Sequence, residues 1–392
     1  MVLPAAPLLA GLAALHLATV VQHLPAVYNH WYFGGLISLT LLLASGAAWW
    51  RGRGGDPDPG EILPAAFAPA ARWGLLLLYF LSGFHKLNAD FFDPVVSCAS
   101  VLYQGLRAGL PLLPEAPVMG PLAIGLTLIV ELGLPALLLV PRTRRIGVAA
   151  GILFHVILAA AGYPRFSATG LALLVWFLPS LPRPGPGFRI GVVATLLAAS
   201  VLVPEHRGAL FLWTTIGLCG VVLGLMLVTR EDPPGQRPAL SLRPALPAML
   251  GTGLILLSGV TPYLGLGTDR ALSMYSNLRT EGGRSNHFVV PAGFQIAPYQ
   301  RDLVQVLQSN SPPLARLAAE RMVIPWEELR ARLSEASASS GSVSLTYLRA
   351  GRRYQVGSAA RDSLLALPVS RLGLKLLRFR PVELAGPRRC SV

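Results

Sequence analysis

Two lysines, Lys86 and Lys375, stand against 31 arginines in this 392-residue chain, and Lys86 falls inside an apolar stretch. An arginine is always protonated, whereas a lysine moved out of water can shed its proton and become a base or a nucleophile. A GC-rich coding sequence would account for the arginine bias, and it makes a retained lysine more telling, because arginine could have supplied charge alone. Two readings of Lys86 stay open. Its long stem snorkels to the outer membrane interface, or its desolvated amine is poised to take a proton.

Glu131 lies in the middle of Leu126-Thr-Leu-Ile-Val-Glu131-Leu-Gly-Leu-Pro135, where an isolated carboxylate is costly and must face a cavity or a partner. It either glues helices or balances an arginine, or it pairs with Lys86 and relays protons. His155, in Ile152-Leu-Phe154-His155, is either a hydrogen-bonded packing residue or a site residue able to shuttle a proton near neutrality. His23, His30 and His85 have no metal-ligand spacing, so no metal is expected. Gly265-Leu-Gly267 lacks the third glycine and following helix of a phosphate loop. Of the three cysteines, Cys98, Cys219 and Cys390, the first and last can join if both face an oxidising compartment.

These groups need a scaffold, and composition names it. At 53% hydrophobic and 13% charged, with mean hydropathy +0.55, the chain is too apolar for a soluble domain. Runs long enough or nearly long enough to span a bilayer fall at 3–21, 33–50, 65–92, 118–140, 146–161, 168–182, 188–204, 209–229 and 245–265, about nine helices. The first lacks a basic leader and a cleavage site and reads as a retained helix. From Trp73 to Phe84 is too short a stretch to cross, so the third span is expected to run on through Lys86 towards Phe92, with Lys86 about 20 Å along it from Trp73.

If nine helices alternate, most loop arginines fall on one side, from Arg51 and Arg53 through Arg142, Arg144 and Arg145 to Arg243. The positive-inside rule then makes the N-terminus cytoplasmic and the region after residue 266 extracytoplasmic. The formal charge of +14 is explained by this bias and by contact with membrane lipids, and no nucleic-acid partner is expected.

Residues 1–266 therefore read as an all-α polytopic membrane bundle, and 267–392 as a small C-terminal α+β extramembrane domain. Within the latter, His287–Val290, Val343–Leu348, Arg353–Val356 and Leu374–Phe379 read as strands. Pro325 opens a helix with Glu327 and Glu328 in its first turn. The polar stretch from Ser273 to His287, with its Gly282-Gly283 turn, caps the bundle or forms a lid over its outer mouth.

Tyr79-Phe-Leu-Ser-Gly83-Phe84-His85-Lys86-Leu-Asn-Ala-Asp90-Phe91 resembles a segment of vitamin K-dependent gamma-glutamyl carboxylase, whose proposed catalytic lysine falls on Lys86. Two further features keep the family's order: Glu131 ahead of the Arg142–Arg145 loop, and Phe154-His155 followed by Phe166-Ser167. A serine–methionine step, here Ser273-Met274, matches more loosely. Together they span residues 70–290, a region similar to the horizontally transferred transmembrane (HTTM) domain.

The resemblance implies a polytopic enzyme that binds reduced vitamin K or another isoprenoid quinol. Lys86 would be its general base, His85 or His155 a proton-handling neighbour and Glu131 a charge partner. Tyr79, Phe84 and Phe154 would contact the cofactor, and a protein or peptide substrate would approach from the outer side. In that family a lysine deprotonates the quinol, oxygen adds, and the strong base so formed removes a glutamate γ-proton before CO2 adds. Two departures weaken protein carboxylation relative to quinol handling: His85 replaces a second lysine, and the tail after residue 266 is short. The alternative is a non-enzymatic lipid-binding or partner-anchoring membrane protein.

Overall fold

The computed structural model describes residues 5–52, 59–178, 241–243, 245–340, 342–366 and 369–390. The expected spans at 188–204 and 209–229, and Cys219, lie outside them. The chain divides into two compact units. The first comprises Met1–Thr19, His30–Gly83 and Leu102–Ile255; the second comprises Val20–Asn29, Phe84–Val101 and Leu256–Val392.

Helices run through both units, residues 84–101 belonging to the second. Helix α1 (Ala5–His23), α2 (Asn29–Gly52) and α3 (Pro59–His85) are followed by the short α4 (Ala89–Phe92), then α5 (Cys98–Gly109), α6 (Met119–Leu139), α7 (Arg144–Ala160), α8 (Pro164–Leu174) and α9 (Leu246–Leu264). Among the described residues, four stretches are long and apolar enough to cross a membrane: Asn29–Gly52, Ala65–His85, Met119–Leu139 and Leu246–Leu264. Nine spans are thus not supported. Helices α7 and α8, at 17 and 11 residues, fall short of the roughly 20 that about 30 Å of hydrocarbon requires.

Among the four, α3 is the interior helix. Its apolar window is 78% buried, against 28 to 39% for the others, and Leu75 and Leu78 are wholly enclosed. Its N-terminal half is held from the side, since Arg72 donates to the Trp176 and Ser241 carbonyls at 2.8 and 2.7 Å.

The expected run of this helix through Lys86 to Phe92 does not occur: α3 stops at His85 and reaches its length by starting at Pro59. Asn88 is the cause. Its side-chain amide donates to the His85 carbonyl at 2.8 Å, and its Oδ1 accepts the Phe91 N–H at 2.9 Å, capping α4. A side chain that satisfies the last carbonyl of one helix and the first free donor of the next competes with a continuous helix.

The second unit carries a five-stranded antiparallel sheet of order β4-β3-β1-β2-β5. Its strands are β1 (Leu303–Ser309), β2 (Met322–Pro325), β3 (Leu345–Arg349), β4 (Arg352–Val356) and β5 (Val382–Glu383). Helices α10 (Pro312–Ala319), α11 (Trp326–Ser340) and α12 (Arg371–Leu376) complete it. Alternation in β1 buries Val304 and Val306 against Leu314, Leu317, Ile324, Leu329 and Tyr347, the period of two that a half-buried strand imposes.

Strands expected near 343–348 and 353–356, and the helix after Pro325, are present. Two others differ. The first half of the 374–379 stretch lies in α12, because Ser370 Oγ accepts the Gly373 N–H at 2.9 Å and starts a helical turn. At 287–290 only one bridge forms, between Asn88 and His287. There the His287 ring takes the Val289 and Val290 N–H groups that a ladder would use.

Candidate functional site

In the first unit, α3 places Tyr79 and Ser82 three residues apart and therefore on one face. Tyr79 is 1% exposed, and its hydroxyl lies 2.7 Å from Nε2 of the fully buried His155 on α7. Phe154 and Phe166 flank that imidazole with ring centroids 5.4 and 5.7 Å away, and Phe154 also meets Tyr79 edge-on at 6.2 Å. Helix α8 approaches closely through Gly170, where any Cβ would overlap the His155 ring. Nδ1 of His155 is buried and has no partner among the described residues. Glu131, on α6, is 7% exposed and accepts the Ser82 hydroxyl at 3.1 Å.

In the second unit, the end of α3 meets a loop of unusual backbone. Arg270, Leu272, Tyr275 and Asn277 all have left-handed φ, 57, 55, 52 and 54°. For Arg270, Leu272 and Tyr275 this costs about 1–2 kcal/mol each, and strain of this kind is held only where the surroundings over-determine it. Carbonyls between and beside these residues accept side-chain donors. The Ala271 carbonyl accepts from His85 Nε2 at 3.2 Å, Met274 from Lys86 Nζ at 3.4 Å, and Ser276 from Asn88 at 2.6 Å. Ser273 and Leu278 both accept from Arg380.

A carbonyl only accepts, so Nε2 of His85 carries the proton and Nδ1 accepts the Tyr263 hydroxyl at 2.8 Å. Lys86 is 4% exposed, with its Nζ 5.8 Å from the Phe91 ring centroid. His287 is fixed in the same manner: Nε2–H donates to the Phe84 carbonyl at 2.8 Å and Nδ1 accepts two backbone N–H groups at 3.1 Å. Burial pulls its pKa below 6.5, partly offset by the Phe84 carbonyl.

Asn277 and Asn286 brace this loop. Asn277 accepts the Cys98 N–H and donates to the Val96 and Arg388 carbonyls, next to the Cys98–Cys390 disulfide, whose Cα atoms are 4.9 Å apart. Asn286 donates to Asn88, Asp90 and the Asn277 carbonyl.

The structure thus joins Tyr79, Phe154 and His155 in one cluster, with Glu131 bonded to Tyr79's helix neighbour Ser82. In the second unit Phe84, His85 and His287 gather around Tyr263, and Lys86 reaches the Met274 carbonyl and the Phe91 ring. Sequence reasoning missed Tyr263, His287 and Asn88. Polar residues crowded after the last apolar run were the available signal, but nothing in their spacing gave their partners. Among the described residues no three His, Cys, Asp or Glu side chains are grouped as metal ligands. Compared with known proteins, the chain matches no family model, no curated protein and no solved structure.

Proposed function

We propose that the chain is a multi-pass membrane enzyme of the carboxylase-like, HTTM-domain class that handles reduced vitamin K or another isoprenoid quinol. The carrying observation is His155: a buried imidazole between two phenylalanine rings, held on one nitrogen by Tyr79, its other nitrogen without a partner among the described residues. An unmet buried polar atom in an aromatic setting suits a flat ring bearing hydroxyl groups. When bound, a quinol supplies acidic hydroxyls and two removable electrons.

In this reading His155 Nδ1 orients a hydroxyl, Tyr79 fixes the His155 ring, and Phe154 packs on the ligand. Glu131, already accepting from Ser82, serves as charge partner and proton relay. For the second unit, taken by itself, the resemblance makes Lys86 the general base, and its Nζ donates to the Met274 carbonyl at 3.4 Å. His85 keeps its proton on Nε2, and Phe84 gives the apolar wall. The proposal includes spans beyond the four observed, a cytoplasmic N-terminus supported by the arginine loops, and an extracytoplasmic region after residue 266. Glutamate carboxylation of an outer peptide substrate is its furthest extension.

The test uses the full chain in lipid nanodiscs. A quinone copurifying by mass spectrometry, quinol-dependent oxygen uptake, and loss of that uptake in Lys86→Arg with quinol binding retained are the expected results. Undiminished turnover in Lys86→Arg sinks the lysine base. No quinone binding, with His155→Leu indistinguishable from the parent, favours a non-enzymatic lipid-binding or anchoring protein.

A further inference from the structure

In the second unit, residues 288–296 are strung between two helix ends. At one end the Phe288 N–H donates to the Leu87 carbonyl at 2.9 Å, beside the His287–Phe84 bond of 2.8 Å. At the other, the Ala297 N–H donates to the Leu264 carbonyl at 3.0 Å. Phe84 and Leu264 lie at the ends of the membrane-length helices α3 and α9, and the His85–Tyr263 bond sets these ends side by side.

Between the pins the sequence is Phe288-Val-Val-Pro-Ala-Gly-Phe294-Gln-Ile296, without a charge. Phe288, Val289, Phe294 and Ile296 are 61, 63, 65 and 78% exposed. Phe92 stacks edge-on against Phe288 at 5.4 Å and, like Val95, is itself exposed. A water-facing surface seldom leaves so many large apolar groups together. Their tether places them where two spans leave the hydrocarbon, the depth at which aromatic and branched side chains lodge in a bilayer.

We propose that the 288–296 loop, with Phe92 and Val95, is an interfacial membrane anchor whose partner is the acyl-chain border of the leaflet from which α3 and α9 emerge. The inference rests on those two helices crossing a membrane and is independent of any quinol. It gives the exposed apolar loop a partner and fixes the height of the Lys86 turn.

The experiment places a nitroxide at Val289→Cys and, separately, at Phe294→Cys, in the full chain carrying Cys219→Ser. The protein is reconstituted in phosphatidylcholine–phosphatidylglycerol vesicles, with Arg352→Cys on the exposed strand β4 as a water-facing control. Relaxation by lipid-soluble oxygen should exceed that by a water-soluble nickel chelate several-fold at both loop sites, and the order should reverse at the control. Nickel access equal to the control overturns the anchor. Protection from both reagents with broadening between labels on two copies assigns the patch to a second chain, and overturns it equally. Because the two sites are labelled separately, a variant that misfolds leaves the other to decide.

Discussion

The Tyr79 hydroxyl sits 2.7 Å from His155 Nε2, joining α3 to α7 across 76 residues of sequence. Tyr79→Phe removes that partner and leaves the imidazole with no partner on either nitrogen among the described residues. Stranding a buried polar group costs about 1–3 kcal/mol. A fall in thermal unfolding temperature, together with several-fold weaker quinol binding, is expected; Tyr79→Phe with unchanged binding would separate the pair from ligand recognition.

Acid should loosen the His287 turn. Its Nδ1 accepts two N–H groups, so a proton there replaces an acceptor with a donor, and burial accordingly lowers the folded pKa below 6.5. For a histidine depressed in this way, the unfolded form binds the proton more readily. Stability is full above pH 6.5 and declines as pH falls from there through the folded value. Hydrogen exchange of the Val289 and Val290 amides should accelerate beyond its intrinsic pH dependence over that window, and His287→Gln should abolish the excess.

Glu328 is 1% exposed and accepts from Arg378 through Nε and Nη2, both at 3.0 Å, from Arg332 at 2.7 Å and from the Phe379 N–H at 3.0 Å. Arg378→Leu leaves this carboxylate short of its main counter-ion and should cost about 3–5 kcal/mol, towards the lower end because Arg332 remains. Adding Glu328→Leu should restore much of the loss. Denaturant unfolding followed by hydrogen exchange in β1 and β2 checks both.

Cys390→Ser opens the link between α5 and the chain end, closed over a sequence separation of 292 residues. Removal of a native disulfide typically costs about 2–5 kcal/mol. The effect should concentrate around Asn277, which bonds the backbone of both Cys98 and Arg388. Protease cleavage between residues 270 and 290 should rise in the variant, and in the parent only after reduction.

Hydropathy alone marks the apolar helices, because burial in hydrocarbon is additive along a run of side chains. Acidic residues after Pro325 announce α11. Lys86, His155 and Glu131 stood out by being polar in apolar surroundings, which needs no knowledge of neighbours. Sequence did not show where α3 ends, since that depends on an Asn88 amide reaching the Ser276 carbonyl 188 residues away. Nor did it show that Lys375, which spacing left as plain charge, donates to the Val21 carbonyl at 2.8 Å. Partner choice, histidine tautomer and the left-handed run at 270–277 arise from contacts between distant segments. Local propensity has no term for these, so they were decided only when the chain closed on itself.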